Sequence, residues 1–231
     1  MQTSDIRALV FDVLGTVVDE NATVERAAAE MFAAAGLPRE ELPGFLEEWE
    51  REQRSRMDAI RTAGAAWTDS DAIRASTLRE RIRTRGWDVP EPAIDRLATV
   101  GHRLDPWADS VAALERLALQ RAVVALTNGS VAQMADTFVH AGLRWTLVLS
   151  ADQVQTFKPA DAMYRLPPAY LQVAPEQMLF VAAHPWDLDA AAEHGYRTAL
   201  VRRPGTSTEG EDRFGLSVDT IAELADVLSA R

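Results

Sequence analysis

The chain has 231 residues, 47% of them hydrophobic and 26% charged, which is enough apolar material for a full core. It lacks cysteine, which excludes disulfides, thiol nucleophiles and zinc–thiolate sites, and its net charge of -11 argues against a nucleic-acid partner. No apolar run approaches the roughly 20 residues of a membrane span, and no leader-like segment opens the sequence, so we expect a cytoplasmic protein without a membrane partner.

Short apolar runs separated by helical patterns predict a parallel sheet covered by helices on both faces. A helix over 110–119 has Asp109 as its expected N-cap, and a helix over 130–141 ends at Gly142, a good C-cap residue. A further helix is predicted over 187–194. The predicted strands cover 8–11, 122–126, 146–149, 179–183 and 198–201.

The segment 21–104 breaks this alternation. Its helix-like stretches at 40–62 and 69–85 are polar and rich in Arg and Glu, and it shows no convincing strand. We therefore predict a Rossmann-like α/β core domain formed by residues 1–20 and 105–231, with an all-helical cap domain inserted at 21–104. An insert that directly follows the first strand is expected to lie over the carboxyl edge of the sheet as a lid.

Polar residues follow the predicted strands at the edge where an open parallel sheet binds its ligands. They offer carboxylates, a lysine, a histidine and a Thr-Asn pair, which together are able to build a site for nucleophilic or acid–base chemistry. The candidates that share this position are Asp12, Thr127, Asn128, Lys158, His184 and Asp187.

Four motifs in this order resemble the haloacid dehalogenase superfamily. They are the DxxGT of residues 12–16, the TNG of residues 127–129, Lys158-Pro159, and the acidic residue Asp187 after the fourth strand. The segments LTNGS (126–130), KPADAMY (158–164) and FVAAHPWD (180–187) are most similar to the L-2-haloacid dehalogenase branch. The resemblance covers nearly the whole chain and implies a Rossmann-like core with a helical cap.

The chemistry of these residues suggests a division of roles. A carboxylate at Asp12 is able to displace a leaving group from carbon and form an aspartyl ester, which water then hydrolyses. Lys158 keeps that carboxylate ionised, while Thr16, Thr127 and Asn128 donate hydrogen bonds to it or to a substrate carboxylate. His184 and Asp187 position or deprotonate the water.

Leu14 separates this chain from the phosphatases of the superfamily, which carry an aspartate two residues after the nucleophile. A leucine is unable to protonate a leaving oxygen, and the fourth strand is followed by Asp187 rather than by an adjacent acidic pair. We therefore expect no metal and no cofactor. The expected substrate is a small carboxylate, and its pocket wall is expected to include Leu14, Met57, Tyr164 and Trp186.

The leaving group stays open between halide and amine. The family places a halide-binding arginine on the first long cap helix, where this chain has Glu50, with Arg51 and Arg54 close by. The first hypothesis is an (S)-2-haloacid dehalogenase. The alternative is a carbon–nitrogen hydrolase that opens a strained cyclic amino acid such as azetidine-2-carboxylate, because a glutamate suits a cationic leaving group.

Two further functional hypotheses remain. One is a phosphatase, and the other is a degenerate, non-enzymatic binding module, against which the joint retention of Asp12, Thr127, Lys158 and Asp187 argues. The resemblance also makes a homodimer one of the oligomeric states to expect.

Overall fold

The computed structural model describes residues 5–229 and shows an α/β fold built on one six-stranded parallel sheet. The strands are β1 (Ala8–Phe11), β2 (Ala122–Thr127), β3 (Leu147–Ser150), β4 (Met178–Ala182), β5 (Arg197–Val201) and β6 (Leu216–Val218). Their order in the sheet is β3-β2-β1-β4-β5-β6. The chain therefore reverses its winding direction between β1 and β4, which is where an open parallel sheet forms its ligand crevice.

The helices fall into two groups along the chain. Four helices occupy residues 20–98 without an intervening strand among the described residues, and six accompany the strands that follow. Within the described part of the chain, no helix is long and apolar enough to cross a membrane. The helices are α1 (Glu20–Ala34), α2 (Leu42–Ala63), α3 (Ser70–Arg85), α4 (Glu91–Ala98), α5 (Ser110–Ala118), α6 (Val131–Ala141), α7 (Asp161–Tyr164), α8 (Leu166–Leu171), α9 (Pro185–Glu193) and α10 (Ile221–Ser229).

The sheet is apolar on both faces because successive strand residues point to opposite sides. Leu9 and Phe11 of β1 join one buried cluster together with residues of α5, α6 and α10. Ala8 and Val10 join a second cluster, to which α7 and α9 contribute. Continuous apolar runs, rather than alternating ones, are therefore required of the central strands.

The helical segment, residues 20–103, has a hydrophobic core of its own. Phe32, Phe45 and Trp49 are among its fully buried side chains, and Trp87 packs edge-on to Phe32. Its helices begin and end at strong local signals: the side chain of Asp69 caps α3 by accepting from the Ala72 amide. This cluster contains no residue of the sheet, whereas Ile73 of α3 packs in the cluster beneath the strands.

Hydrogen bonds fasten the start of α3 to the loop that follows β2. The Ser130 amide donates to Ser70 Oγ over 2.9 Å, and Ser130 Oγ donates to Asp71 Oδ2 over 2.5 Å. Trp67 also packs on Phe157, in the segment that follows β3, with ring centroids 5.0 Å apart. The helical segment is thus held against the carboxyl edge of the sheet.

The sequence predictions for the sheet are confirmed to within one residue at each strand end. The α6 helix also ends at Gly142, whose φ of 69° is the left-handed conformation of a glycine C-cap. Two details are wrong: β6 was not predicted, because it is a strand of three residues at the sheet edge in which only Val218 is buried. The side chain of Asp109 does not cap α5.

Asp109 instead binds Arg203 behind the loop that follows β1. Its carboxylate accepts from Arg203 Nη1 at 2.8 Å and from the Ile221 amide at 2.6 Å, at the start of α10. Arg203 Nε donates to the Thr16 carbonyl at 3.0 Å, and Trp107 Nε1 donates to the Gly15 carbonyl at 3.2 Å. This buried network holds the backbone of the loop after β1.

We expect Arg203→Met to lower the free energy of unfolding by about 3 kcal/mol, because it leaves the largely buried Asp109 carboxylate without its cation. Arg202→Met, which removes the partly exposed neighbour that pairs with Glu211 and Asp219, should have a much smaller effect. Urea unfolding of both variants measures the difference, and equal losses would contradict this role for Arg203.

Candidate active site

Asp12 directly follows β1 and sits in the crevice at the carboxyl edge of the sheet. Its amide donates to the Val181 carbonyl at 3.0 Å, which continues the pairing with β4 for one residue. The residue is only 4% exposed. Gly15, with φ of 78°, lets the chain turn tightly after it, and a Cβ there would lie 2.9 Å from His184 Nε2. Only glycine fits this turn without displacing the histidine.

The Thr16 hydroxyl is aimed at Asp12. Thr16 Oγ1 accepts a hydrogen bond from the Ala183 amide at 2.9 Å and donates its single proton to Asp12 Oδ2 at 2.7 Å. Because the backbone of Thr16 is held by Arg203, this donor is fixed from both sides. It leaves little freedom for the Asp12 carboxylate to rotate.

Lys158 lies between two carboxylates. Its Nζ donates to Asp12 Oδ1 at 2.7 Å and to Asp187 Oδ2 at 2.5 Å, and its side chain is 1% exposed. The other oxygen of Asp187 accepts from the Tyr164 hydroxyl at 2.6 Å. Asn128 positions the lysine by accepting from its backbone amide at 2.7 Å.

Lys158 is also the only lysine among 24 basic residues, since the other 23 are arginine. An ammonium is a compact point charge, whereas the planar guanidinium prefers to grip one carboxylate with two donors. The residue type therefore suits a cation that two buried carboxylates share.

The two carboxylates that share Lys158 differ in their pKa. Burial alone would raise the pKa of Asp12, but the charges of Lys158 and His184 and the hydrogen bonds from Lys158 and Thr16 outweigh it and lower this pKa below its usual range. At Asp187, burial is the largest influence, and with the Asp12 charge it raises the pKa in spite of Lys158. Asp12 is therefore held as the anion, and Asp187 is the better proton acceptor.

His184 borders the same carboxylate. Its Nε2 donates to the Leu14 carbonyl at 3.1 Å and lies 3.7 Å from Asp12 Oδ2. Since a carbonyl only accepts, Nε2 is the ring nitrogen that carries a proton at this contact. The ring stacks on the half-exposed Trp186, with centroids 5.9 Å apart and planes at 17°.

A cavity of about 390 Å³ opens between the sheet edge and the helical segment. From the sheet side it is lined by Leu14, two residues after Asp12, and by Asn128, whose side chain accepts from the Lys158 amide. From the helical side it is lined by Trp49, Met57 and charged residues of α1, α2 and α3. The arrangement therefore places an apolar and charged chamber next to a fixed carboxylate.

The predicted substrate-binding residues divide into two groups. Leu14, Asn128, Glu50, Arg54 and Met57 line the cavity. The other three predicted substrate-binding residues do not line the cavity. Thr127 is buried and accepts from the Gly129 amide, Tyr164 is buried behind Asp187, and Trp186 covers His184.

Glu50 does not face the site as an isolated charge. Its side chain is 65% exposed and lies 3.6 Å from Arg54 in an ion pair of successive turns of α2. Arg51 is exposed and does not line the cavity. The prediction that this glutamate selects a cationic leaving group therefore loses its physical basis, because its charge is screened by solvent and by Arg54.

Sequence reasoning missed residues on the inner face of α3. Arg74 and Ser70 line the cavity, as does Gln133 of α6. The available signal was the helical spacing, since Arg74 follows Ile73 and precedes Thr77 and Leu78 on the buried face. A charged residue at such a position requires a partner, which for Arg74 is Glu20.

The carboxylates of Asp12 and Asp187 are poorly placed to bind a metal ion. Between Asp12 and Asp187 stands an ammonium, which repels a cation and uses one oxygen of each carboxylate. Among residues 5–229, no three His, Asp or Glu side chains are grouped so as to hold a metal ion.

A Rossmann-like parallel sheet with a buried, ionised carboxylate directly after its first strand defines an α/β enzyme whose reactive group lies at the ligand crevice. A family model described as haloacid dehalogenase-like hydrolase matches residues 6–195. The chain belongs to this family of hydrolases.

Known relatives cover nearly the whole chain. (S)-2-haloacid dehalogenase 4A of Burkholderia cepacia is 29% identical over 233 residues, covering 97% of this chain and 95% of that protein. A crystal structure of an L-2-haloacid dehalogenase superposes with a TM-score of 0.88 at 30% identity, covering 98% of this chain and all of the other. A defluorinating L-2-haloacid dehalogenase gives a TM-score of 0.87 at 28% identity, covering 97% and 96%.

We expect Lys158→Met to abolish activity and to make stability depend on pH in a new way. Without the ammonium, burial and mutual repulsion raise the pKa values of Asp12 and Asp187 above those of the unfolded chain, so the folded state binds more protons and loses stability as pH rises. The stability deficit relative to wild type should therefore be larger at about pH 8 than at about pH 5.

The control for this change is Lys158→Met combined with Asp187→Asn, which restores the original net charge of the cluster. It should recover much of the stability at the higher pH while staying inactive. Urea unfolding at both pH values measures the effect. A deficit that does not vary with pH would show that the lysine acts through packing alone.

Proposed function

We propose that this chain hydrolyses the carbon–halogen bond of a short (S)-2-haloacid, with Asp12 as the nucleophile. The observation that carries the proposal is the fixed, ionised Asp12 carboxylate between Lys158 and Thr16, two residues before Leu14, which lines the cavity. The relatives named above, which are dehalogenases of such acids, support the same reaction.

In the first step, an oxygen of Asp12 attacks C2 of the substrate from the side opposite the halogen. The carbon–oxygen bond forms as the carbon–halogen bond breaks, the halide leaves with the bonding pair, and C2 inverts its configuration. Leu14 is compatible with this step because a departing halide needs no proton. Lys158 and Thr16 hold the nucleophile in one orientation, which supplies the rate gain of a positioned reactant.

In the second step, water attacks the carbonyl carbon of the Asp12 ester. The carbonyl oxygen takes up negative charge next to Lys158 as the water loses one proton to a base. The bond between the carbonyl carbon and the substrate oxygen then breaks, and that oxygen takes up the second proton of the water, which releases the 2-hydroxyacid and regenerates the Asp12 carboxylate. The base returns its proton to solvent. We assign the base to Asp187, whose pKa burial raises. His184, 3.7 Å from Asp12 Oδ2, orients the water.

The division into domains completes the proposal. Residues 1–20 and 105–231 would form the catalytic core, and the helical segment would form a cap whose α2 and α3 close the cavity. Its separate hydrophobic cluster and its fastening at Ser70 support this division. Ring opening of a cyclic amino acid finds no support among the relatives or in the exposed Glu50–Arg54 pair.

An isotope experiment tests the nucleophile. With enzyme in excess over substrate in heavy-oxygen water, the first turnover should give a hydroxyacid that carries light oxygen from Asp12, and the label should then appear in Asp12 by peptide mass spectrometry. Asp12→Asn, which keeps the shape, should lower activity by roughly 10⁴-fold or more. Product labelled from solvent in the first turnover would exclude the ester.

A second experiment separates the two steps. Asp187→Asn should release about one equivalent of halide per active site and then stall, because the ester on Asp12 forms and lacks the base that removes it. His184→Gln should keep multiple turnovers at a lower rate, and Asp189→Asn, an exposed change on the same helix, is the control. Accumulation of ester in the His184 variant, and not in the Asp187 variant, would exchange the two roles.

A further inference from the structure

The charged residues of the cavity pose a problem for an anionic substrate. Four glutamates line it, at positions 20, 25, 47 and 50, against two arginines, Arg54 and Arg74. Although three of these glutamates are exposed and therefore screened by solvent, the lining carries a surplus of acidic groups, within a chain whose net charge is already -11, which disfavours a carboxylate or a departing halide. Binding therefore requires a cation whose charge is poorly screened.

Arg54 does not meet this requirement. Its side chain is 67% exposed and is paired with Glu50. An exposed charge interacts through solvent, where the attraction of a pair is weak and falls further with salt.

Arg74 differs from Arg54 because it is buried and because its guanidinium has an N–H donor without a partner. The residue is 7% exposed, and its Nη2 binds Glu20 Oε1 at 2.5 Å. Its guanidinium lies 5.9 Å from the centre of the Trp49 ring. Its Nε has no hydrogen-bond partner among the described residues. A guanidinium has five N–H donors, so one ion pair leaves capacity for a further anion.

The position of Arg74 is fixed relative to the reacting carboxylate. It lies one helical turn after Ser70 on α3, and Ser70 accepts from the Ser130 amide. Ser130 closes the loop that carries Asn128, and Asn128 in turn holds the backbone of Lys158. Two hydrogen bonds, joined by one turn of α3 and a short stretch of the loop after β2, therefore connect the arginine with the Asp12–Lys158 pair.

We propose that Arg74 binds a small monoanion in the cavity, either the carboxylate of the substrate or the departing halide, and that Glu20 moderates its affinity. This rests on the proposed function for the identity of the anion. Arg74 is then a residue that determines specificity, because its single buried charge favours monoanionic acids over neutral amides and esters of the same shape.

Binding measurements in the inactive Asp12→Asn background test the proposal without turnover. Calorimetric titration with propionate probes the carboxylate, and titration with bromide probes the halide. Arg74→Met should weaken at least one of the two roughly 10- to 100-fold, and Arg74→Lys should weaken it less. Arg79→Met, an exposed change on the same helix that removes pairs with Glu91 and Asp95, is the matched control.

Glu20→Gln supplies the opposite change. If Arg74 binds the anion, removal of its carboxylate partner should tighten binding several-fold, whereas a purely structural ion pair would give no gain. Loss of bromide binding alone assigns the halide, and loss of propionate binding alone assigns the carboxylate. Unchanged binding of both in folded Arg74→Met, or a loss found in Arg54→Met instead, would overturn the proposal.

These titrations are independent of the reaction. If the unmodified enzyme fails to release halide from 2-chloropropionate, the proposed function fails, and the anion affinities of the variants still decide the role of Arg74.

Discussion

The sharing of one ammonium between two buried carboxylates is the interaction on which the rest of the site depends. Three charged groups without solvent are tolerable only when attraction and hydrogen bonds offset the desolvation of each. Here every oxygen of Asp187 and both oxygens of Asp12 accept a hydrogen bond, from Lys158, Tyr164 or Thr16. The cluster retains a net negative charge, which Asp12 carries because its pKa is lowered.

The scaffold around this cluster can be understood as the means of holding it. The sheet brings the ends of β1 and β4 side by side, which sets Asp12 near Asp187. The turn at Gly15 brings Thr16 back over the carboxylate, and Arg203 with Asp109 holds that turn from behind. Loss of any one support affects the nucleophile through its orientation rather than through its charge.

The sequence predicts the part of the site that topology determines. Asp12, Lys158 and Asp187 follow strand ends, and parallel strands bring their carboxyl ends to one edge, so their convergence follows from the order of elements. The features that depend on packing between helices could not be predicted. Arg74 pairs with Glu20, which is 54 residues away in sequence. The side chain of Asp109 accepts a hydrogen bond from the amide of Ile221 at the start of α10, not from an amide of α5. Glu50 is exposed and pairs with Arg54. Helical periodicity gives the face of a residue but not the partner on another helix.

The concentration of all side-chain amines into one buried residue has a practical consequence. Because the other basic residues are arginines, Lys158 is the single internal target in this chain for acylating reagents directed at lysine. In the folded protein its side chain is buried and inaccessible to such reagents. The rate at which Lys158 is acylated is therefore a direct measure of how often the site opens to reagents. A bound substrate analogue that slows this acylation would report its own occupancy without any introduced label.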